Sequence, residues 1–337
     1  MPEFPSVAIF DRVDRALFDN EIKPLDQPAV LKGLVSHWPV VEVAQQSPEA
    51  LGAYLKMFDS GKPAHVSVCP PEHKGRFFYN DDVTGFNFTN LKHSLSRCVD
   101  DLLEARVSDD PEARYMQGMR IDTYAPGLAA DLDMPLLNGN IRPRIWLGNT
   151  VRTQTHFDLS SNIACHIAGD KVFTLFPPDQ LPNLYPGPLH LTPGGVPISM
   201  VDIEAPDLER FPRFSEAMKA GRTARLEPGD ALYMPNMWWH HVQTTGPLNM
   251  LVNYWWNEAR EEMYSPIVGL YMAALSFKHM PPQQRAAWRG MLDYFIFEDP
   301  GDPVAHLPKP AQSIFRRDID REDIEGFKNV FRRMVKL

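Results

Sequence analysis

Apolar residues along the chain fall into three regimes. Between residues 140 and 257 they come as short apolar or alternating runs: Arg144-Ile-Trp-Leu-Gly, Asn162 to Ile167, Lys171 to Phe176, Ala231 to Met234 and Met250 to Trp256. Runs of this length, bounded by Gly, Pro and Asp, predict strands. Ala168-Gly-Asp between two of them is a hairpin signal. The Pro-rich stretch from Pro177 to Pro197 predicts a loop, because proline cannot donate to a sheet ladder. After residue 257 the period changes. Ile267, Leu270, Tyr271, Ala274 and Leu275 recur at helical spacing, and Trp288, Met291, Leu292, Phe295 and Ile296 repeat it after Pro281-Pro282. Two amphipathic helices joined by a proline turn are predicted there, with a third helix over the tail from Asp318 to Leu337. Before residue 140 the signals are mixed. A capped helix opens at Ser47-Pro-Glu-Ala, Ala64-His-Val-Ser-Val reads as a strand, and Leu91, Leu95, Cys98, Val99 and Leu102 predict a helix from about Leu91 to Ala105. The expectation is a mainly β chain with helical additions: a mixed α/β N-terminal part and β middle over 1–257, then a C-terminal helical region over 258–337.

Composition sharpens this picture at a few points. The 337 residues suffice for one large domain, alone or with a small appendage. The 32 prolines, about twice average usage, are spread through the chain and argue against long helices in its middle. A net charge of -9 with no block of Lys and Arg speaks against nucleic acid as a partner. The cluster Arg332, Arg333 and Lys336 reads as a solvated helix end. Cys69, Cys98 and Cys165 are odd in number and lack CxxC spacing, which speaks against a disulfide framework or thiolate zinc site and fits a reducing compartment. The N-terminus has no signal-peptide pattern, and no stretch of about 18 apolar residues suggests a membrane span. A cytoplasmic location is therefore expected.

The sharpest local chemistry is His156-Phe-Asp158. On a strand, residues i and i+2 share a face, so an imidazole and a carboxylate can point together into a barrel. One more histidine from a distant strand would complete a two-His, one-carboxylate face, which leaves open positions on a ferrous ion. Alone the pair is a weak signal. It gains weight from Gly229-Asp-Ala-Leu-Tyr-Met-Pro235, followed by Asn-Met-Trp-Trp-His240-His241. Adjacent histidines on a strand face opposite sides, so spacing admits one of the two without saying which.

Taken with Lys171, these motifs resemble the cupin-like JmjC-type oxygenases, and among them the asparaginyl hydroxylase that inhibits hypoxia-inducible factor. The similarity continues through Pro28-Ala-Val-Leu-Lys-Gly-Leu-Val-Ser-His-Trp-Pro, Arg76-Phe-Phe-Tyr-Asn-Asp, Arg114-Tyr-Met-Gln, Phe176-Pro-Pro-Asp-Gln and Val252-Asn-Tyr-Trp. The resemblance implies a double-stranded β-helix, the cupin or jelly-roll barrel. It implies His156, Asp158 and His240 as catalytic metal ligands, with His241 outside the set. Fe(II), 2-oxoglutarate as cosubstrate and dioxygen follow, with decarboxylation of 2-oxoglutarate coupled to hydroxylation of a substrate C–H bond. Lys171 would anchor the far carboxylate of 2-oxoglutarate with Thr153 and Tyr115. Asn162, Asn253 and Trp255 would line the cosubstrate pocket, and Tyr79 the substrate cleft. The C-terminal hairpin sits where relatives dimerise, so a homodimer is implied. Without the resemblance, Lys171 would read as a strand-edge lysine with its ammonium in water.

One stretch departs from the asparaginyl pattern. After Tyr185-Pro-Gly-Pro-Leu-His190, the segment Gly195-Val-Pro-Ile-Ser-Met-Val-Asp lacks the Arg-Gln pair that handles peptide there. That departure speaks against asparagine hydroxylation, and the substrate is open among a protein side chain, a small molecule and a modified nucleotide. Two other classes share the fold: a non-catalytic binding or scaffold protein, and a cupin enzyme without 2-oxoglutarate. The intact HxD…H set speaks against the first, and Lys171 with Thr153 and Tyr115 against the second.

Overall fold

A computed structural model describes residues 4–297 and 301–334. The chain divides into two compact units, Met1–Asn257 and Glu258–Leu337. In the first unit the described residues form twelve strands of one mixed sheet, five of which carry the predicted runs: β1 (Ala8–Asp11), β2 (Ala29–Lys32), β3 (Ala64–Cys69), β4 (Arg76–Phe77), β5 (Thr89–His93), β6 (Ala113–Arg120), β7 (Arg144–Gly148), β8 (Arg152–Phe157), β9 (Ser161–Phe176), β10 (Arg222–Leu226), β11 (Ala231–Met234) and β12 (Trp239–Trp256). The order is β1-β2-β11-β9-β12-β7-β6-β3-β5, with β10 beside β9 and β8 between β12 and β4. Pairing is antiparallel except for β1 with β2 and β4 with β8. The result is a mainly β jelly roll with helical additions.

The expected hairpin at Ala168-Gly-Asp does not form. Asn162 to Ile167 and Lys171 to Phe176 are two halves of one bent strand, β9, which runs antiparallel to β12 from Ser161↔Trp256 to Phe176↔Trp239. Gly169, at φ +82°, supplies the bend, and the irregularity is taken up by β12, whose register jumps between Thr245 and Met250. A Cβ on Gly169 would lie 1.9 Å from Asn249 Oδ1, so the site needs both the positive φ and the missing side chain.

The helix expected from Leu91 starts instead at Leu95. Ser94 caps it, its Oγ accepting from Arg97 N at 3.2 Å, while Leu91 belongs to edge strand β5 with 38% exposure. Spacing alone could not see the cap and the strand compete for the same residues. This helix, α3 (Leu95–Ala105), packs on α2 (Pro48–Lys56), which opens at Ser47 as expected. Shorter α1 (Pro39–Ala44) precedes them. Trp38, Leu51, Leu55, Val99 and Leu102 are all buried in the main core cluster against the sheet. Helix α4 (Phe214–Ala220) buries Phe214 and Ala217 against Phe157, Phe176 and Trp239, behind the ligand-bearing strand ends.

The second unit holds α5 (Pro266–Phe277) and α6 (Pro282–Leu292), separated by Lys278–Pro281, and α7 (Arg321–Met334). The last residues of the predicted tail helix, 335–337, lie outside the described residues. Phe277 and Trp288 meet across the hairpin with ring centroids 5.2 Å apart. No residue of α5 or α6 is buried. Among the described residues no helix is long and apolar enough to cross a membrane.

Candidate active site

Strand β8 delivers His156 and ends at Phe157, with Asp158 immediately after it. A tight connection follows β11 and leads into β12; there Met237, at φ +65°, donates its N–H to Asp158 O at 2.9 Å. This bond fixes where β12 begins against β8, and His240 lands directly opposite His156. The two imidazole centroids are 4.1 Å apart, and one ligand atom each from His156, Asp158 and His240 all lie within 4.8 Å of one another.

The hydrogen bonds around these groups orient them for a cation. His156 Nδ1 lies 2.8 Å from Gln154 O, and His240 Nδ1 lies 3.0 Å from Trp238 O. A carbonyl only accepts, so both Nδ1 atoms carry a proton, and in the neutral rings the Nε2 lone pairs are left free for a cation. Asp158 Oδ2 accepts from Trp255 Nε1 at 3.1 Å and lies 3.8 Å from His240 Nε2, too far for a hydrogen bond. Three donor atoms thus converge without satisfying one another. Burial, then neighbouring His156, hold His240 well below the usual histidine range. Burial also pushes the Asp158 carboxyl up, against the pull of His156 and the Trp255 hydrogen bond. Two neutral imidazoles and one carboxylate are a donor set that fits a divalent transition ion and leaves coordination positions free.

His241 faces the other way. Its Nε2 lies 3.4 Å from Glu204 Oε1, and Glu204 also accepts from Arg152 Nη1 at 2.7 Å. The His241 contact, with Arg152, brings the Glu204 carboxyl down to about 2. Of the two adjacent histidines, the structure brings only His240 to the cluster.

Two cavities meet at the triad. The inner one is lined by Lys171, Asn162, Asn253 and His240, the outer one by Phe77, Gln117, Gln154, Pro193, Gly194 and Ile198. Tyr115, Trp146, Thr153, His156, Asp158 and Trp255 line both. Lys171 is 5% exposed and has no hydrogen bond or ion pair among the described residues; burial alone takes its pKa down to about 7. Burial pushes the Tyr115 hydroxyl up to about 12, against the pull of neighbouring Thr153. Asn253 Nδ2 donates to Asn162 Oδ1 at 3.3 Å and its Oδ1 accepts from Trp146 Nε1 at 2.8 Å. So Lys171, Thr153, Tyr115, Asn162, Asn253 and Trp255 are gathered in one cavity with the triad.

Tyr79 is not among them. It lines a separate cleft of about 680 Å³ with Arg76, Asn80 and Arg210, and its hydroxyl donates to Leu191 O at 2.6 Å. Sequence reasoning passed over Trp146, which touches both cavities. Its place as the inward residue of the alternating run Arg144-Ile-Trp-Leu-Gly was an available signal. Gln117 and Gln154 gave none, because an amide on a strand has no distinguishing pattern.

With this geometry in hand, the comparisons with known proteins identify the class. Residues 15–262 match the model of the cupin-like domain, and the chain belongs to that family. Of three relatives it resembles, two carry JmjC-type names. It is 34% identical over 292 residues to lysine-specific demethylase JMJ31 of Arabidopsis thaliana, covering 75% of this chain and 50% of that protein. It is 28% identical over 270 residues to bifunctional peptidase and (3S)-lysyl hydroxylase JMJD7 of Homo sapiens, covering 71% and 80%. It is 26% identical over 238 residues to HSPB1-associated protein 1 of Bos taurus, covering 68% and 48%. The chain thus spans about half the length of two of these three relatives.

Proposed function

We propose that this protein is a JmjC-type oxygenase that uses Fe(II), 2-oxoglutarate and dioxygen to hydroxylate a C–H bond of its substrate. The observation that carries the reading is the lone buried ammonium of Lys171 in the same cavity as His156, Asp158 and His240. Burying an unpaired charge is costly, and a dicarboxylate reaching from the metal to Lys171 would supply the missing counter-charge. Tyr115 and Thr153 would donate to the same far carboxylate. Asn162, Asn253, Trp146 and Trp255 would hold the chain of the cosubstrate and keep water out. When bound, ferrous iron with 2-oxoglutarate would activate dioxygen, the oxidant: one oxygen atom would go to the C–H bond and the other to succinate, with loss of carbon dioxide. The protein's part is to fix donor tautomers, hold Asp158 through Trp255 and present the substrate from the outer cavity.

A protein side chain as substrate draws support from the relatives named as lysyl hydroxylase and lysine demethylase. The finer likeness to the asparaginyl hydroxylase stands on sequence motifs, with the loop after His190 against it. Three free, buried cysteines fit a reducing, cytoplasmic setting. The exposed apolar stripe of α5 and α6 would serve as a homodimer interface.

One anaerobic titration tests the proposal. Adding ferrous iron and then 2-oxoglutarate should raise a visible metal-to-ligand charge-transfer band, which His240→Ala should abolish. No band with the wild-type protein would overturn the reading.

A further inference from the structure

The segment Tyr185–Met200 folds back on itself beside the triad. Gly187 N donates to Ile198 O at 2.8 Å, and Met200 N to Tyr185 O at 2.9 Å. Ser199 N donates to Thr155 O at 2.7 Å, which docks the hairpin on β8 next to His156. The hairpin's Pro193, Gly194, Val196 and Ile198 form one wall of the outer cavity. Its own sequence, rich in Pro and Gly, offers little to hold it there.

Gln154 holds its base, alongside the Tyr79 bond to Leu191 O. It is 3% exposed, and its amide is fully used. Nε2 donates to Ser199 O at 2.9 Å and Val201 O at 2.6 Å, while Oε1 accepts from Arg76 Nε at 3.1 Å. Among the described residues no other donor reaches those two carbonyls. Ser199 and Val201 are themselves fully buried, so water cannot replace the amide cheaply. The backbone carbonyl of the same residue fixes the His156 tautomer. One residue thus addresses both the metal ligand and the opposite wall.

We propose that Gln154 is a positioning residue for the substrate side of the site: its side-chain amide seats the Tyr185–Met200 hairpin and thereby sets the width of the outer cavity. That this cavity receives substrate rests on the reading under Proposed function; that the amide seats the hairpin does not. Removing two donors from buried carbonyls opens the hairpin locally, and leaves the ligand atoms and the Lys171 cavity as they were.

Hydrogen exchange read by mass spectrometry on the metal-free protein tests this. In Gln154→Met the amides of Gly187, Ser199 and Met200 should exchange at least about tenfold faster, while core strands β9 and β12 stay within about twofold of wild type. Gln154→Glu is the discriminating variant. It matches the size and keeps an acceptor for Arg76 but lacks both donors, so its hairpin should exchange as fast as in Gln154→Met. It also carries the test if the Met variant does not fold. Cobalt(II) affinity should stay within about threefold of wild type in both, since the His156 tautomer depends on a backbone atom. Wild-type protection of the hairpin in Gln154→Glu would show that Gln154 serves only to hold Arg76 and would overturn the proposal. Equal acceleration across β9 and β12 would make its role merely structural and would do the same. A large loss of cobalt affinity would place its action on His156 rather than on the hairpin, also against the proposal. Failure of the iron and 2-oxoglutarate titration would leave these exchange results intact, so the two readings fail separately.

Discussion

Replacing Lys171 with methionine should make the ligand-free protein more stable while removing its response to 2-oxoglutarate. Lys171 is 5% exposed, and its ammonium meets no counter-charge among the described residues. A pKa that falls from 10.5 to about 7 through burial corresponds to lost solvation on the order of 5 kcal/mol, at about 1.4 kcal/mol per pH unit. Methionine fills similar volume without the charge, so a few kcal/mol of that cost should return as a Tm several degrees higher. The sign with pH follows from protonation. Below pH 7 the lysine is charged in both folded and unfolded states and the cost is fully present. Between pH 7 and 10.5 the unfolded chain binds more protons, wild-type stability rises, and the advantage of methionine fades. Ligand binding runs the other way. A carboxylate beside Lys171 keeps it protonated to higher pH, so above pH 7 binding takes up a proton and wild-type affinity for 2-oxoglutarate should fall, approaching about tenfold per pH unit. In the variant, loss of the charge partner should weaken 2-oxoglutarate by about a hundredfold or more. Thermal melts from pH 6 to 9, with manganese(II) and with or without 2-oxoglutarate, read both effects. A variant that melts below wild type at pH 6 and still gains stability from 2-oxoglutarate would refute the reasoning.

Asp158→Ala and His240→Ala should each abolish ferrous binding in equilibrium dialysis, and His241→Ala should retain it; the reverse for the two histidines would displace the site by one residue. In α5 and α6, Leu270, Leu275 and Trp288 are 50%, 80% and 43% exposed. Light scattering at micromolar concentration should therefore report a dimer that Leu292→Arg dissociates, and a wild-type monomer would end that proposal.

Much of the site was legible because its chemistry is carried by short motifs on strands. His156-Phe-Asp158 needed only the two-residue strand period, and the geometry of adjacent histidines reduced the third ligand to two choices. The resemblance chose His240; physically the choice rests on the register of β12 on β8, set with the Met237 to Asp158 bond, an interaction between distant residues that no local pattern encodes. The failure at Gly169 has the same origin. A glycine before aspartate suits a tight turn or a bend within one long strand equally well, and only the Asn249 side chain across from it decides. Leu91 was misread because helical spacing outvoted a serine cap three residues later. Tyr79 was placed at a substrate cleft through likeness, and it does line a cleft; its contact with Leu191 arises from folding that proline-rich composition could announce only as loop.

The tautomer bonds of His156 and His240 have a consequence for which metal the protein takes. Their Nε2 lone pairs are aimed before any ion arrives, so little reorganisation separates one divalent ion from another. Nitrogen and carboxylate donors held this way favour nickel, copper and zinc over ferrous iron on intrinsic affinity. If the triad takes iron, as proposed, supply has to outweigh that preference. Protein recovered from nickel resin, or from cells short of iron, would be filled with an inert occupant, and it has to be stripped and reloaded without oxygen before its activity means anything.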